Sequence, residues 1–258
     1  MDAIKTVTET VREAGQAVDL TGSVAACDKA GTTVCEPPIA ASEIPAYLRD
    51  TYHWAYLSPR NVRLLDREPV VKFILWGQHR LLRDAAFAEL EARQRVLQPA
   101  CVYGDFSSAL ARHLGPEGHL DIIDVAPVQV ANCRRKLVDL PQATVRQADA
   151  SRSGDACYDA VCCYFLIHEV PDDYKRDIVD ALLERIVPGG KAVFIDYHKP
   201  HWAHPLKGIT SLVFDTLEPF AKSLWRREIA DFARNSWQYD WRKTVYFGGL
   251  FQKVVARR

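Results

Sequence analysis

Hydrophobic and polar positions divide the chain into stretches of different period. Residues 1–40 hold no period for long: small, charged and turn-forming residues run through to Glu36-Pro37-Pro38, and only 4–18 has helical spacing. The first 43 residues are therefore expected to form a flexible arm without a core face. Residues 44–57, IPAYLRDTYHWAYL, then gather Tyr47, Tyr52, Trp54 and Tyr56 into one helix-like segment that Ser58-Pro59 closes. A helix over 60–67 follows, and VVKFILWGQHRLL after it is apolar around too much of its circumference for a solvated helix.

From there helical and extended periods alternate. Helices over 78–93, 105–114, 127–138 and 172–186 separate strands over 95–102, 118–126, 143–150, 158–165 and 191–198, the last preceded by a turn at Val187-Pro188-Gly189-Gly190. Strands separated by helices of this length predict a parallel sheet made by right-handed crossovers. The tail TVYFGGLFQKVVAR (244–257) is two β runs meeting at Gly248-Gly249, a hairpin that adds antiparallel strands to one edge. The expected fold is thus α/β: a doubly wound, mostly parallel seven-stranded sheet over 85–258, preceded by a helical segment over 44–84. The aromatic residues of that segment suit either core packing or a lid over a substrate.

Composition narrows the partners. The 258 residues are 48% hydrophobic and 26% charged, enough to fill a core, and 33 basic residues cancel 33 acidic ones, which speaks against a nucleic-acid partner. Seven cysteines (27, 35, 101, 133, 157, 162 and 163) contain no C-x-x-C pair and are odd in number, which argues against a disulfide framework or zinc knuckle and for a reducing cytoplasm. No apolar stretch approaches the roughly 20 residues needed to span a bilayer. ITSLVFDTLEPFAKSLW (209–225), followed by Arg226-Arg227, reads as a core helix or a membrane-contacting one.

In an open parallel sheet the ligand lies beyond the carboxyl ends of the strands. The first ends at Tyr103-Gly104, before the helix start Asp105-Phe106-Ser107. The second ends at Asp124, about 20 residues on, where a nucleotide-binding fold places a carboxylate for the ribose hydroxyls; a helix-capping acid is the other reading. Asp149 closes the third, as an adenine contact or a turn acid. His168 and Glu169 follow the fourth, and Asp196 and His198 close the next. His168, Asp196 and His198 are therefore candidates for a general base or a hard-metal site, against ordinary capping and solvation, with Tyr52 as a catalytic candidate from the aromatic segment. His201 and His204 enlarge the cluster without a diagnostic spacing.

The series VLQPACVYG, DIIDVAP, VRQADA, YDAVCCYFLIHEVPD and LLERIVPGGKAVFIDYHKP resembles, in order and spacing, the motifs of class I S-adenosylmethionine-dependent methyltransferases, particularly those of quinone biosynthesis. The segment IPAYLRDTYHWAYLSPRNVRLLDREPVVKFILWGQHRLL, joined to VLQPACVYGDFSSALA, is similar to the rhodoquinone-biosynthesis family, a resemblance covering almost the whole chain after residue 43. It implies a Rossmann-like fold and the replacement of a ring methoxy group of ubiquinone by an amino group. S-adenosylmethionine is the implied nitrogen donor and manganese the implied metal. A long-chain quinone partner implies peripheral contact with the cytoplasmic face of the inner membrane. Cofactor contacts are then expected from Gln98, Tyr103, Gly104, Asp124, Val125, Asp149, Ala150 and Phe165.

One departure from the methyltransferase pattern carries chemistry. The usual acid-x-Gly-x-Gly-x-Gly lets the backbone approach the cofactor closely, but here the positions read Gln98, Ala100, Val102 and Gly104. A neutral Gln98 in place of the acid implies a looser hold on the methionine ammonium, which frees the amine to act as a nucleophile. A conventional methyltransferase of a quinone or small aromatic, and a non-catalytic methyltransferase-like subunit, are the rival readings.

Overall fold

A computed structural model describes residues 44–152, 154 and 156–258. The arm expected over 1–43 lies outside the described residues. The chain begins with α1 (Ala46–Asp50), a π-helical turn (His53–Leu57), α2 (Pro59–Leu65), α3 (Glu68–Ile74) and α4 (His79–Phe87). Strands and helices then alternate through β1 (Arg95–Gln98), α5 (Phe106–Leu114), β2 (His119–Asp124), α6 (Pro127–Lys136) and β3 (Ala143–Gln147). They continue through β4 (Tyr158–Tyr164), α7 (Asp172–Glu184), β5 (Ile186–Tyr197), α8 (Lys207–Thr216), β6 (Asp240–Tyr246) and β7 (Phe251–Arg257). Pro127 opens α6 and Pro59 opens α2, where a missing N–H leaves no intrahelical bond unmade.

Seven strands form one sheet in the order β3-β2-β1-β4-β5-β7-β6. Neighbours from β3 to β5 pair in parallel, whereas β7 runs antiparallel to β5 and to β6, so the hairpin closes one edge as expected. Burial alternates along the central strands. Val96, Ala160, Cys162 and Val193 join the layer of α4 and α5, while Leu97, Val161, Cys163 and Phe194 join that of α7. A slip of one residue would exchange the two layers, and each aliphatic chain so buried is worth about 1.5–3 kcal/mol, which holds the register. From β1 the crossovers lead out to β2 and β3 and then return to β4 on the other side, which makes the gap above β1 and β4 the switch point.

Several boundaries differ from the pattern, among them the helix expected over 78–93, which ends at Phe87, and the strand expected over 143–150, which ends at Gln147. β1 stops at Gln98 because Pro99 has no N–H for the ladder. VVKFILWGQHRLL is two helices, α3 and α4, broken where Trp76 (φ 51°) and Gly77 (φ 77°) turn left-handed. The expected turn at 187–190 is a bulge inside β5: the register passes from Tyr158 opposite Ile186 to Ala160 opposite Lys191, and a Cβ on Gly190 would lie 2.6 Å from the Asp159 carbonyl oxygen. The 209–225 helix divides into α8 and a 3-10 turn (Ala221–Trp225) around Pro219, with Phe214 buried and Ile209 and Leu212 exposed. The cysteines are expected to form no disulfide framework; Cys157 is nevertheless disulfide-bonded, while Cys101, Cys133, Cys162 and Cys163 are free. Among the described residues no helix is long and apolar enough to cross a membrane.

Candidate active site

A cavity of about 210 Å3 lies at the switch point. The loop after β1 forms its floor with Pro99 to Tyr103, the end of β2 adds Asp124 and Val125, the loop after β3 adds Asp149 and Ala150, and the segment after β4 adds Phe165, His168 and Glu169. Tyr47, Trp54 and Tyr56 cover one side, Val71 and Ile74 of α3 with Leu75 just beyond it another, and Glu218 reaches in from the turn after α8.

One half of the cavity is organised by hydrogen bonds to backbone. Asp124 Oδ2 accepts from Cys101 N–H (2.9 Å) and Oδ1 from Ala126 N–H (2.8 Å), so the carboxylate fixes both the first loop and the approach to α6. Each oxygen keeps a second lone pair, which suits a pair of ribose hydroxyls. Burial pushes this carboxyl up to about 6 although both amides pull it down. Asp149 Oδ1 accepts from the Ser151 N–H and hydroxyl (2.9 and 2.7 Å), a turn that places the acid at the cavity wall.

Gln98 does not line the cavity. It is fully buried, and its amide donates to the Ala100 carbonyl (2.6 Å) and Ser107 hydroxyl (2.9 Å), which shapes the loop from behind. Gly104, at φ 76°, also lies behind the wall: its N–H donates to Asp66 Oδ1 (2.8 Å) and its carbonyl accepts from Lys136 Nζ (2.9 Å). Sequence reasoning missed Asp66 and Lys136, because neither lies in the strand-end motifs. Tyr103 lines the cavity, donates to the Ala55 carbonyl (2.7 Å), accepts from Gln129 (2.8 Å) and stacks on Tyr56 at 5.8 Å.

The opposite half holds the ionisable groups. His168 sits in a 3-10 turn (Ile167–Glu169), with Nδ1 2.9 Å from Asp196 Oδ1 and Nε2 3.9 Å from Glu169 Oε1. Burial draws the imidazole down, but the charge and hydrogen bond of Asp196 outweigh it and hold His168 up at about 9. Burial raises Glu169 and Glu218 above the ordinary carboxylate range, His168 opposes that rise, and each carboxylate accepts from a tyrosine: Tyr56 on Glu169, Tyr52 on Glu218 (2.7 Å). The rings of Phe165 (φ 53°) and Tyr197 meet the His168 ring edge to face at 5.9 and 4.8 Å. Tyr52 is buried outside the cavity lining and reaches the cavity only by its hydrogen bond to Glu218.

The expected metal ligands do not converge. Asp196 spends Oδ2 on the Ile167 and His168 N–H groups (2.9 and 3.2 Å) and Oδ1 on the Tyr197 N–H (2.7 Å) and His168. His198 turns away to the Gly249 carbonyl (2.9 Å) and Lys243 (3.5 Å). Among the described residues no group of three or more His, Cys, Asp or Glu side chains could hold a metal ion. The set His168, Asp196 and His198 is therefore corrected: the first two form a dyad and the third belongs to the hairpin. His201 and His204 also stand apart, bonded to the Ala203 and Leu206 N–H groups.

Comparison with known proteins agrees with this geometry. Residues 96–190 match a family profile described as a methyltransferase domain. The chain is 30% identical over 131 residues to the ubiquinone/menaquinone biosynthesis C-methyltransferase UbiE of Stutzerimonas stutzeri, covering 48% of this chain and 50% of the relative. It spans about half the length of the curated relatives it matches. Among solved structures, human N-acetylserotonin methyltransferase in complex with S-adenosylmethionine aligns with a TM-score of 0.58 at 12% identity, over 83% of this chain and 60% of that one. An S-adenosylmethionine-dependent methyltransferase from Aquifex aeolicus aligns at 0.52 and 17% identity, over 78% and 98%. These likenesses extend the shared fold beyond the matched domain. Residues 96–190 thus match a methyltransferase domain, and the strand order and the cavity at the switch point belong to a fold that the chain shares with S-adenosylmethionine-dependent methyltransferases.

Proposed function

We propose that the protein converts ubiquinone to rhodoquinone, exchanging a ring methoxy group for an amino group with S-adenosylmethionine as nitrogen donor. The observation that carries this reading is the end of β1. Gln98 is neutral and turned into its own loop, so this strand offers no carboxylate to hold the methionine ammonium. An amine must lose its proton to attack an electron-poor ring carbon, and a neighbouring anion would oppose that loss.

S-adenosylmethionine supplies the nitrogen when bound. Asp124 and Asp149 anchor its ribose and adenine in this reading, with Val125, Ala150 and Phe165 packing beside them and Tyr103 next to the methionine portion. The aromatic and aliphatic walls contributed by 44–84, which we read as a lid, receive the quinone ring. Glu169 and His168 would supply a proton to the quinone oxygen as the nitrogen–carbon bond forms and recover it as the carbonyl re-forms, and would carry the proton shed by the amine to the departing methoxide, which leaves as methanol. Freeing the aminoquinone would also require the bond between the nitrogen and the donor's α-carbon to break, a proton from the adjacent carbon passing to the nitrogen and the donor's carbon skeleton leaving as an alkene. The resemblance also implies manganese, but the residues expected to hold it do not fit one, and no step is routed through a metal. A long-tailed quinone places the protein at the cytoplasmic face of the inner membrane.

Conventional C-methylation of a quinone is the second reading, favoured by the names of the relatives. Mass separates the two. Purified protein is given short-chain ubiquinone and S-adenosylmethionine carrying nitrogen-15 in its amino group, with manganese added or withheld. A labelled aminoquinone is the expected product. A methylated product would assign the second reading, and cofactor binding without product would point to a binding subunit.

A further inference from the structure

Helix α3 has two apolar sides. Val71 and Ile74 face the cavity, while Pro69, Phe73 and Trp76 line a separate groove that Leu206 and Phe247 close from the other side. Nothing among the described residues covers this outer side: Phe73 is 77% exposed and Trp202, on the segment leading to Leu206, is 79% exposed. The His204 ring packs on Phe247 at 5.1 Å, so the segment is seated against the groove. Beyond Leu206, α8 buries Phe214 and leaves Ile209 and Leu212 bare. An outward patch of this size and aromatic content is unusual on a protein that meets only water.

Charge identifies the occupant. Lys72 lies in the groove, Lys199 and Lys207 flank the Trp202 segment, and none of the three makes an ion pair among the described residues. The nearby acids are already neutralised: Glu68 pairs with Arg80 at 3.3 Å and Asp215 with Lys222 at 2.6 Å. An apolar centre with tryptophan and phenylalanine, rimmed by unpaired lysines, fits the headgroup layer of an anionic phospholipid surface. A second copy of this chain would bring the same lysines against one another.

We propose that the face formed by α3, the Trp202 segment and the start of α8 docks on anionic phospholipid, which sets the cavity one helix away from the bilayer. The proposal rests on the quinone reading for its purpose but not for its test.

The test is flotation of the full chain with phosphatidylcholine vesicles, with and without phosphatidylglycerol. The chain is expected to float with the anionic vesicles and to be released by salt. Phe73→Glu, Trp202→Glu and Leu212→Glu combined should reduce the floating fraction at least about tenfold, as apolar anchors turned to carboxylates are repelled from an anionic surface. Lys72→Glu, Lys199→Glu and Lys207→Glu combined, which leave the apolar patch intact, should do the same for anionic vesicles. Val138→Glu with Trp237→Glu, exposed apolar residues on other elements, should float as the parent does. Turnover of a tail-less soluble quinone should be equal in all variants, while turnover of a vesicle-held long-tailed quinone should follow flotation. Equal flotation of the parent and both triple variants would overturn the proposal. So would a parent that never floats, or a dimer on gel filtration that the first triple variant abolishes without any vesicle binding. Flotation as expected with no turnover of either quinone would leave the docking face standing and remove the quinone reading.

Discussion

Asp66 and Lys136 meet at 2.7 Å behind the loop that follows β1. Between them they hold three of that loop's backbone groups: Asp66 accepts from the Gly104 N–H, and Lys136 donates to the carbonyls of Val102 and Gly104. Both side chains are mostly buried, at 14% and 19% exposure. An ion pair from α6 and the end of α2 thus shapes a loop whose usual pattern relies on glycines.

Lys136→Met should therefore disturb cofactor binding from a position outside the cavity. It strands a partly buried carboxylate and two carbonyls, so the cost lies between that of surface and fully buried pairs, about 1–3 kcal/mol. Calorimetric titration should show S-adenosylmethionine bound about tenfold more weakly. Unchanged affinity in a folded variant would show that the loop holds its shape without the pair.

Asp124→Ala should weaken S-adenosylmethionine about 100-fold, since hydrogen bonds to a charged acceptor are worth roughly 1.5–3 kcal/mol each. Burial holds this carboxyl at about 6. Protonation removes the better acceptor, so affinity in the parent should be level above about pH 6 and fall below it. A binding profile flat from pH 5 to pH 8 would refute the ribose role.

The parts legible in the sequence are those that depend on period and strand ends. The sheet, its hairpin, Asp124 and the His168–Asp196 neighbourhood all follow from alternation and topology. What sequence could not show is where a side chain turns after its strand ends. Gln98 and His198 stand at plausible positions yet point into a loop and a hairpin. Glu218 enters the cavity across 166 residues of separation from Tyr52, a contact no local pattern records.

His168→Gln should lower turnover about 100- to 10,000-fold if the imidazole moves the proton. A thermal signature accompanies it. The folded-state value of His168, about 9, stands above the ordinary 6.5, so the dyad's stabilisation is full below about pH 6.5 and is lost as pH rises through 9. The melting temperature of the parent should exceed that of His168→Gln most at pH 6, with the gap narrowing towards pH 10. A gap that widened with pH would reverse the assignment of charge.

Tyr56→Phe removes the hydroxyl that stabilises the Glu169 anion, so Glu169 should titrate at still higher pH. The alkaline limb of the turnover profile should move upward while folding is disturbed by no more than about 1–2 kcal/mol. An unmoved limb would place the essential proton elsewhere.

Asp196 touches His168 twice, at the backbone N–H and at Nδ1, and takes the Ile167 N–H as well. The group that charges the ring also aims it. With Nδ1 committed to Asp196, the only nitrogen left to gain or lose a proton is Nε2, on the side of Glu169. The imidazole is in effect a port open on one side: protons reach it from the cavity and return there, and the interior of the sheet has no share in the exchange.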